Sequence, residues 1–454
     1  MPRSPSATTR VPGVARACLL FALLSACAGT PAPSSSHSPS DWKKVEFSIL
    51  EDYDKGDDLA EVAKDFDLFK ELGVAVWRGS FGWDDYEPSR GTYDFEWLHR
   101  FADLAAARGI TLRPYIAYTP EWAAARGSDA DAWNDPPSDA DDWFRFVRAL
   151  SSAMRRHRNV VSYEIYNEEN VRQWWDGTPE AYENVLRRGA DAIKAGNPDA
   201  QVLLGGMVYP DIEWLEAVCA QGGSGRRVDV IPFHAYPETW TPADVTLENY
   251  LGLTFGTEFV TAADRACGRK RLWINETGYA TTPGRSEDDQ ARWWIRAVAT
   301  FLSQPRIDHL GIYEIKDLPK NREAIGDAPN YHLGITHVDR RKKVAFPTLQ
   351  RLVSMMAAQP ITIADPRGSI SSAPAGSGLY HHLFTRADGS QVLFMWSRRS
   401  RGVVSVSPTA VTALNEFGID GKPRGRIDVS GATAEITLQA GEVRYFEVVP
   451  ARSR

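Results

Sequence analysis

The stretch Val161-Ser162-Tyr163-Glu164-Ile165-Tyr166-Asn167-Glu168 decides how this chain of 454 residues folds. It is a short run rich in apolar and aromatic residues that ends in an amide and an acid. Helix-length amphipathic stretches flank it at 141–156 and 178–195, so it reads as a strand between crossover helices. The same unit recurs outward in both directions. Eight strand candidates fall at 45–50, 74–79, 111–118, 161–166, 201–204, 228–233, 271–275 and 309–313, with further helices at 94–108 and 288–302. Eight strands with intervening helices over this length predict a (β/α)8 TIM barrel spanning 44–357. A doubly wound open sheet is the rival, but no GxGxxG or GxxxxGK[ST] phosphate turn occurs.

Beyond the barrel the pattern changes to short strands separated by turn residues, at 380–386, 391–396, 402–407, 411–415, 426–429, 434–438 and 443–449. Residues 358–454 are therefore expected to form a small C-terminal antiparallel β-sandwich. No Pro/Gly/Ser linker separates it from the barrel, so a support role is expected over a mobile glycan-binding module. Trp396 and Tyr380 are expected in the sandwich core.

With 52 Lys+Arg against 59 Asp+Glu the net charge is −7, which gives no basic footprint for nucleic acid. Hydrophobic residues at 43% and charged residues at 24% exclude a disordered chain and a multi-span membrane protein. Residues 1–26 read as a signal peptide, with Arg3, Arg10 and Arg16 before the apolar run 17–24. Leu24-Ser25-Ala26-Cys27 resembles a bacterial lipobox, which would make Cys27 a lipidated N-terminus. A plain secretory cleavage after Ala26 is the alternative. Residues 27–43 have the composition of a flexible tether, so an extracytoplasmic protein held to a membrane by lipid is expected. Export would allow Cys219 and Cys267 to pair, each lying near the end of a helical stretch (212–220 and 247–266). Two separate buried thiols remain the alternative.

In a barrel the C-terminal strand ends face the active site. The fourth strand ends in Asn167-Glu168, and the seventh ends in Leu272-Trp273-Ile274-Asn275-Glu276-Thr277-Gly278. Strands four and seven stand nearly opposite in a closed barrel, so Glu168 and Glu276 converge on one pocket. Two carboxyls, one protonated and one ionised, are the equipment of glycoside hydrolysis. Glu164 alternates into the barrel interior and is expected to pair with Arg113, because an unpaired buried charge is costly. Asn275-Glu276-Thr277 matches an N-glycosylation sequon, but it lies at a strand end beside the candidate acid, and modification there is rejected.

Asn167-Glu168 with Glu276 is similar to the signature of the large clan of retaining (β/α)8 glycosidases. Several segments resemble glycoside hydrolase family 39 and related bacterial exopolysaccharide glycosidases. They are Trp77-Arg78, the run from Glu87-Pro88 to Asp94-Phe95, Phe233-His234-Ala235-Tyr236-Pro237, and Tyr313-Glu314-Ile315-Lys316-Asp317. The resemblance covers most of residues 45–355. It implies that Glu168 is the acid/base and Glu276 the nucleophile of a double displacement. It also implies that Asn167 holds the sugar 2-hydroxyl, that Arg78 keeps Glu276 ionised, and that His234 and Tyr236 border the same sugar. Where the clan often has a tryptophan after strand eight, this chain has Tyr313.

Tryptophan occurs 15 times, close to Tyr (16) and Phe (18). Trp83, Trp122, Trp174, Trp175 and Trp240 fall in loops after strands, where their faces can stack on sugars. Trp122, Trp174 and Trp175 are accordingly expected to bind substrate, and Trp273 and Trp294 to lie in the core. The expected function is hydrolysis of β-glycosidic bonds in a poly- or oligosaccharide, with no metal and no organic cofactor. The alternative is a lipid-anchored carbohydrate-binding protein on the same barrel that no longer turns over. No GxSxG or HExxH motif supports a serine hydrolase or metalloprotease.

Overall fold

The structure is a computed structural model and describes residues 42–126, 132–220, 223–320, 328–366, 369–372, 378–429 and 431–451. The segment expected to be a signal peptide, Cys27 and the expected tether up to residue 41 lie outside the described residues. No described helix is long and apolar enough to cross a membrane.

Nine parallel strands form one sheet: β1 (Glu46–Leu50), β2 (Val76–Arg78), β3 (Thr111–Leu112), β4 (Tyr115–Ile116), β5 (Ser162–Ile165), β6 (Gln201–Leu203), β7 (Val230–His234), β8 (Arg271–Thr277) and β9 (Ile307–Tyr313). β3 and β4 are two pieces of one barrel strand, interrupted at Arg113-Pro114, where proline has no N–H for the ladder. The order β3-β2-β1-β9-β8-β7-β6-β5-β4 thus returns on itself, and the bridges Leu112 to Val160 and Ser80 to Tyr115 carry pairing across the join. The result is the expected eight-strand barrel.

Among the described residues ten α-helices accompany the barrel: α1 (Leu59–Leu72), α2 (Trp83–Tyr86), α3 (Glu96–Ala107), α4 (Ala140–Met154), α5 (Pro179–Gly196), α6 (Ile212–Ala220), α7 (Leu247–Thr254), α8 (Gly256–Cys267), α9 (Glu287–Leu302) and α10 (Ala345–Ala357). Local chemistry marks their ends. Asp58 caps α1 through the Ala60 amide, Thr178 precedes Pro179 at the start of α5, and Ser286 with Asp289 forms a capping box on α9. The stretch 247–266, read as one helix, is two that meet at Phe255 and Gly256. Cys219 and Cys267 form a disulfide between α6 and α8, with Cα atoms 5.1 Å apart.

The C-terminal region holds β10 (Ile361–Ile363), β11 (Ile370–Ser372), β12 (Leu379–Arg386), β13 (Gln391–Ser397), β14 (Gly402–Val406), β15 (Val411–Phe417), β16 (Pro423–Asp428), β17 (Ala434–Leu438) and β18 (Val443–Pro450). They make a six-stranded sheet, β10-β12-β13-β18-β15-β16, and a three-stranded one, β11-β14-β17. Alternation along β13 sends Leu393 and Met395 to the core shared with Val404, Val406, Ile436 and Leu438. Val392, Phe394 and Trp396 point the other way and join the barrel core with Phe384 and Tyr445. The large sheet is therefore covered on both faces.

Trp396 accordingly belongs to the barrel interface and not to the sandwich core. Its indole N–H donates to Glu248 at 2.9 Å, and its ring stacks on Tyr380. Arg398 on the sandwich and Arg296 on α9 both pair with Glu248 and Glu238. Lys43, placed by sequence at the end of the tether, already bridges to Ile361. The described residues, 42 to 451, belong to a single compact unit.

Candidate active site

β5 ends at Ile165, and the next three residues turn sharply. Tyr166 and Glu168 adopt φ of 72° and 57°, a left-handed conformation costly for residues with a Cβ. The turn is held by the Glu168 amide, which donates to the Gly206 carbonyl at 2.9 Å. Gly206 must be glycine for steric reasons: a Cβ there would meet His234 Nε2 at 2.5 Å and Glu164 Oε1 at 2.9 Å. Opposite, Glu276 sits within β8, paired in register with His234 of β7.

An oxygen of Glu168, an oxygen of Glu276 and a ring nitrogen of His234 all lie within 4.8 Å of one another. His234 Nδ1 is 2.7 Å from Glu168 Oε1, and its Nε2 is 3.5 Å from Glu276 Oε2. Tyr236 donates its hydroxyl to Glu276 Oε1 at 2.5 Å. Arg78 spans the floor of the site. Its Nη1 donates to Glu276 at 2.8 Å, and its Nη2 donates to Asn167 Oδ1 at 2.7 Å. Its Nε and Nη2 grip Glu164 at 2.9 and 2.7 Å.

Burial acts on both carboxyls. Burial raises Glu168 to about 7, against the pull of Arg78 and a hydrogen bond from Trp174. Burial also raises Glu276 above the usual carboxylate range, while His234, Arg78 and the Tyr236 hydroxyl pull it back. Arg78 does pull Glu276 toward its ionised form, but desolvation outweighs the guanidinium in the net direction. The hydrogen bonds still differ in kind, since Glu276 accepts from a cation and a hydroxyl, donors that favour its ionised form. Burial lowers His234 to about 4, so its ring is neutral near pH 7.

Glu168, His234 and Glu276 are the one group of Asp, Glu, His and Cys ligand atoms among the described residues close enough to share a metal ion. The Arg78 cation already occupies the Glu276 oxygen, and both ring nitrogens of His234 face partners.

The two acids open into a cleft of about 1060 Å³ that also receives Asn167, Tyr236 and Tyr313. Trp174 and Trp240 line it, and Trp240 is 39% exposed. The other loop tryptophans do not reach it. Trp175 is 1% exposed, wedged edge-on against Tyr166 and Tyr182, because the turn after Val171 directs neighbouring side chains to opposite sides. Trp122 donates its N–H to the Glu87 carbonyl beneath Arg90, and Trp83 is fully buried on Trp143 and Phe146. Trp122 and Trp175 are therefore structural, contrary to the sequence expectation.

Arg113 does not pair with Glu164. It sits a layer lower, among Glu46, Ser162 and Gln201, with its guanidinium over Trp273. Glu164 is satisfied instead by Arg78, the Gly206 amide and Asn275 Nδ2. Tyr118, not singled out by sequence, faces the cleft, receives Asn167 Nδ2 at 3.4 Å and stacks on Trp174. Its position at the end of the third barrel strand was the signal available.

Comparison with known proteins fits this geometry. A family model described as beta-galactosidase matches residues 53–136, which include Arg78 and the Glu87 to Phe95 run. The beta-galactosidase BgaB of Geobacillus sp. (strain Y412MC61) is 28% identical over 124 residues, 23% of this chain; the chain spans only 18% of that relative. Among solved structures, a family 39 glycoside hydrolase from Bacteroides cellulosilyticus WH2 superposes with a TM-score of 0.68 at 18% identity, covering 90% of this chain and 81% of the other. A monomeric beta-xylosidase from Caulobacter crescentus CB15 gives 0.62 at 16% identity, covering 90% and 97%. The fold is that of these barrel-plus-β-domain proteins.

Proposed function

We propose that this protein is a retaining glycosidase that cleaves β-glycosidic bonds of a poly- or oligosaccharide by double displacement. The observation that carries the reading is the approach of Glu168 and Glu276 across the barrel mouth, with oxygens within 4.8 Å. Retaining enzymes hold their carboxyls about 5 to 5.5 Å apart, whereas inverting ones leave about 6.5 to 9.5 Å for a water. Glu168, raised to about 7 and so about half protonated at neutral pH, gives its proton to the departing glycosidic oxygen. Glu276 attacks the anomeric carbon as that bond breaks, forming a glycosyl ester. Water, deprotonated by Glu168, then displaces Glu276. Asn167 offers its amide N–H to the 2-hydroxyl, and Tyr236 and Arg78 hold the Glu276 carboxylate in place until it attacks.

The leader sequence and the lipobox-like Cys27 support action outside the cytoplasm from a lipid anchor. Fatty-acid labelling that marks the protein and spares a Cys27→Ala variant tests that part. For the reaction, Glu276→Ala is expected to lose turnover of aryl β-glycosides and, with added azide, to yield a glycosyl azide of inverted configuration. Unimpaired hydrolysis by this variant would remove Glu276 from the mechanism.

A further inference from the structure

The cleft is divided by charge. Seven carboxyls line it, those of Asp52, Asp54, Asp84, Asp85, Glu168, Glu276 and Glu314, and among the described residues no lysine, arginine or histidine does. Glu168 and Glu276 belong to the reaction. The other five follow β1, β2 and β9, which are neighbours in the barrel, so they occupy one half of the mouth. The opposite half, over β6 and β7, is built from Tyr209, Trp240, Val245 and Tyr250.

Two lysines stand near the acidic half without entering the cleft lining. Lys55 is held by Asp94 at 2.8 Å, and Lys316 by Asp65 at 2.7 Å together with Glu51. Burial and the charge of Asp85 raise Asp84 to about 6; burial and Asp54 raise Asp85. Glu314 is the independent sign of a ligand. It is 2% exposed, borders the cleft directly after Tyr313, and its Oε1 has no hydrogen-bond partner. Burial and the charges of Glu51, Asp317 and Asp52 hold the Glu314 carboxyl well above the usual carboxylate range, against the pull of Lys316, and an arriving ammonium favours its ionised form. An orphaned buried carboxyl oxygen at a binding cleft is costly unless a donor arrives.

From this half-cleft we infer that the substrate carries a protonated amine, as in a glycan of de-N-acetylated hexosamine, and that Glu314 with Asp84 and Asp85 receives it. A low-dielectric cleft lined by one sign of charge concentrates the opposite sign and repels uronic acids and sulfated sugars. The flanking carboxyls are too dispersed for a metal, since no three of them bring ligand atoms within 4.8 Å. An ammonium on a sugar ring needs only separate acceptors. The inference names the substrate class of the glycosidase reading and rests on it.

The test measures binding apart from turnover. Full-length protein carrying Glu168→Gln is titrated calorimetrically with β-linked glucosamine oligosaccharides, 1,4- and 1,6-linked, and with their fully N-acetylated and neutral glucose counterparts. Amine-bearing chains are expected to bind about tenfold or more tightly than either counterpart, as one charge-assisted hydrogen bond supplies. Adding Asp84→Asn with Asp85→Asn, or Glu314→Gln, is expected to remove most of that advantage. No binding of amine chains, equal binding of all three classes, or an advantage that survives all three substitutions overturns the inference. Wild-type hydrolysis of the same three classes of oligosaccharide is scored separately. Turnover without amine preference sinks this inference alone, and amine preference without any turnover sinks the glycosidase reading.

Discussion

Arg78 and Glu164 form a fully buried bidentate pair, at 2.9 and 2.7 Å, and the same guanidinium reaches Glu276 at 2.8 Å. The structural charge of the barrel and the candidate nucleophile are thus held by one side chain. Removing it leaves Glu164 buried without its cation. Arg78→Ala is expected to cost about 3 to 5 kcal/mol of stability, read as a shift in denaturant midpoint, together with loss of turnover. Arg78→Lys keeps the charge but not the fork that serves Glu164, Glu276 and Asn167 together, so activity is expected to fall steeply there as well.

The pH dependence follows from Glu168. The leaving group needs its proton, and that proton is lost as pH rises through about 7. The alkaline limb of kcat/KM is therefore expected near pH 7 and belongs to Glu168, since His234 is already neutral above about 4. Trp174 donates a hydrogen bond that favours the ionised Glu168. Trp174→Phe is expected to move this limb to higher pH; a shift the other way contradicts the assignment.

Adjacent tryptophans are expected to fail differently. Trp175→Ala empties a buried space and should cost about 3 to 5 kcal/mol of stability. Trp174→Ala removes a cleft wall and should raise KM by roughly threefold to tenfold with Tm nearly unchanged. Paired Tm and steady-state measurements separate the two.

The disulfide between Cys219 and Cys267 spans 48 residues of sequence. Loop-closure entropy predicts about 4 kcal/mol lost when it is absent. Denaturant unfolding of Cys219→Ala with Cys267→Ala, against the oxidised wild type, measures it.

Glu248 ties the sandwich to the barrel through Trp396, Arg398 and Arg296. Glu248→Ala leaves two largely buried guanidinium groups with Glu238 alone and is expected to destabilise both parts. A single unfolding transition, shifted as a whole, is the expected result. Separate melting of the two parts would contradict the shared core.

Residue periodicity along the chain was enough for the barrel and for the sandwich strands, because strand and helix patterns are local. The broken third strand was visible in Pro114 once the ladder is considered. Reading only strand ends brought out Glu168, Glu276, Asn167, Arg78, His234 and Tyr236. The same reading of the third strand end would have added Tyr118, and of the eighth, Glu314.

By itself the sequence determined which residues stand at the C-terminal ends of the barrel strands, since the alternation of a strand and its length fix both face and end. Only the tertiary structure decided the partners. Glu164 takes Arg78 and not Arg113 because the barrel stacks side chains in layers, and height depends on strand stagger, which no single strand encodes. Trp174 enters the cleft and Trp175 the core because a one-residue step in a turn reverses direction. Trp396 faces the barrel because the large sheet is covered twice. The acidic half of the cleft exists only because closing the barrel makes the first, second and last strands neighbours.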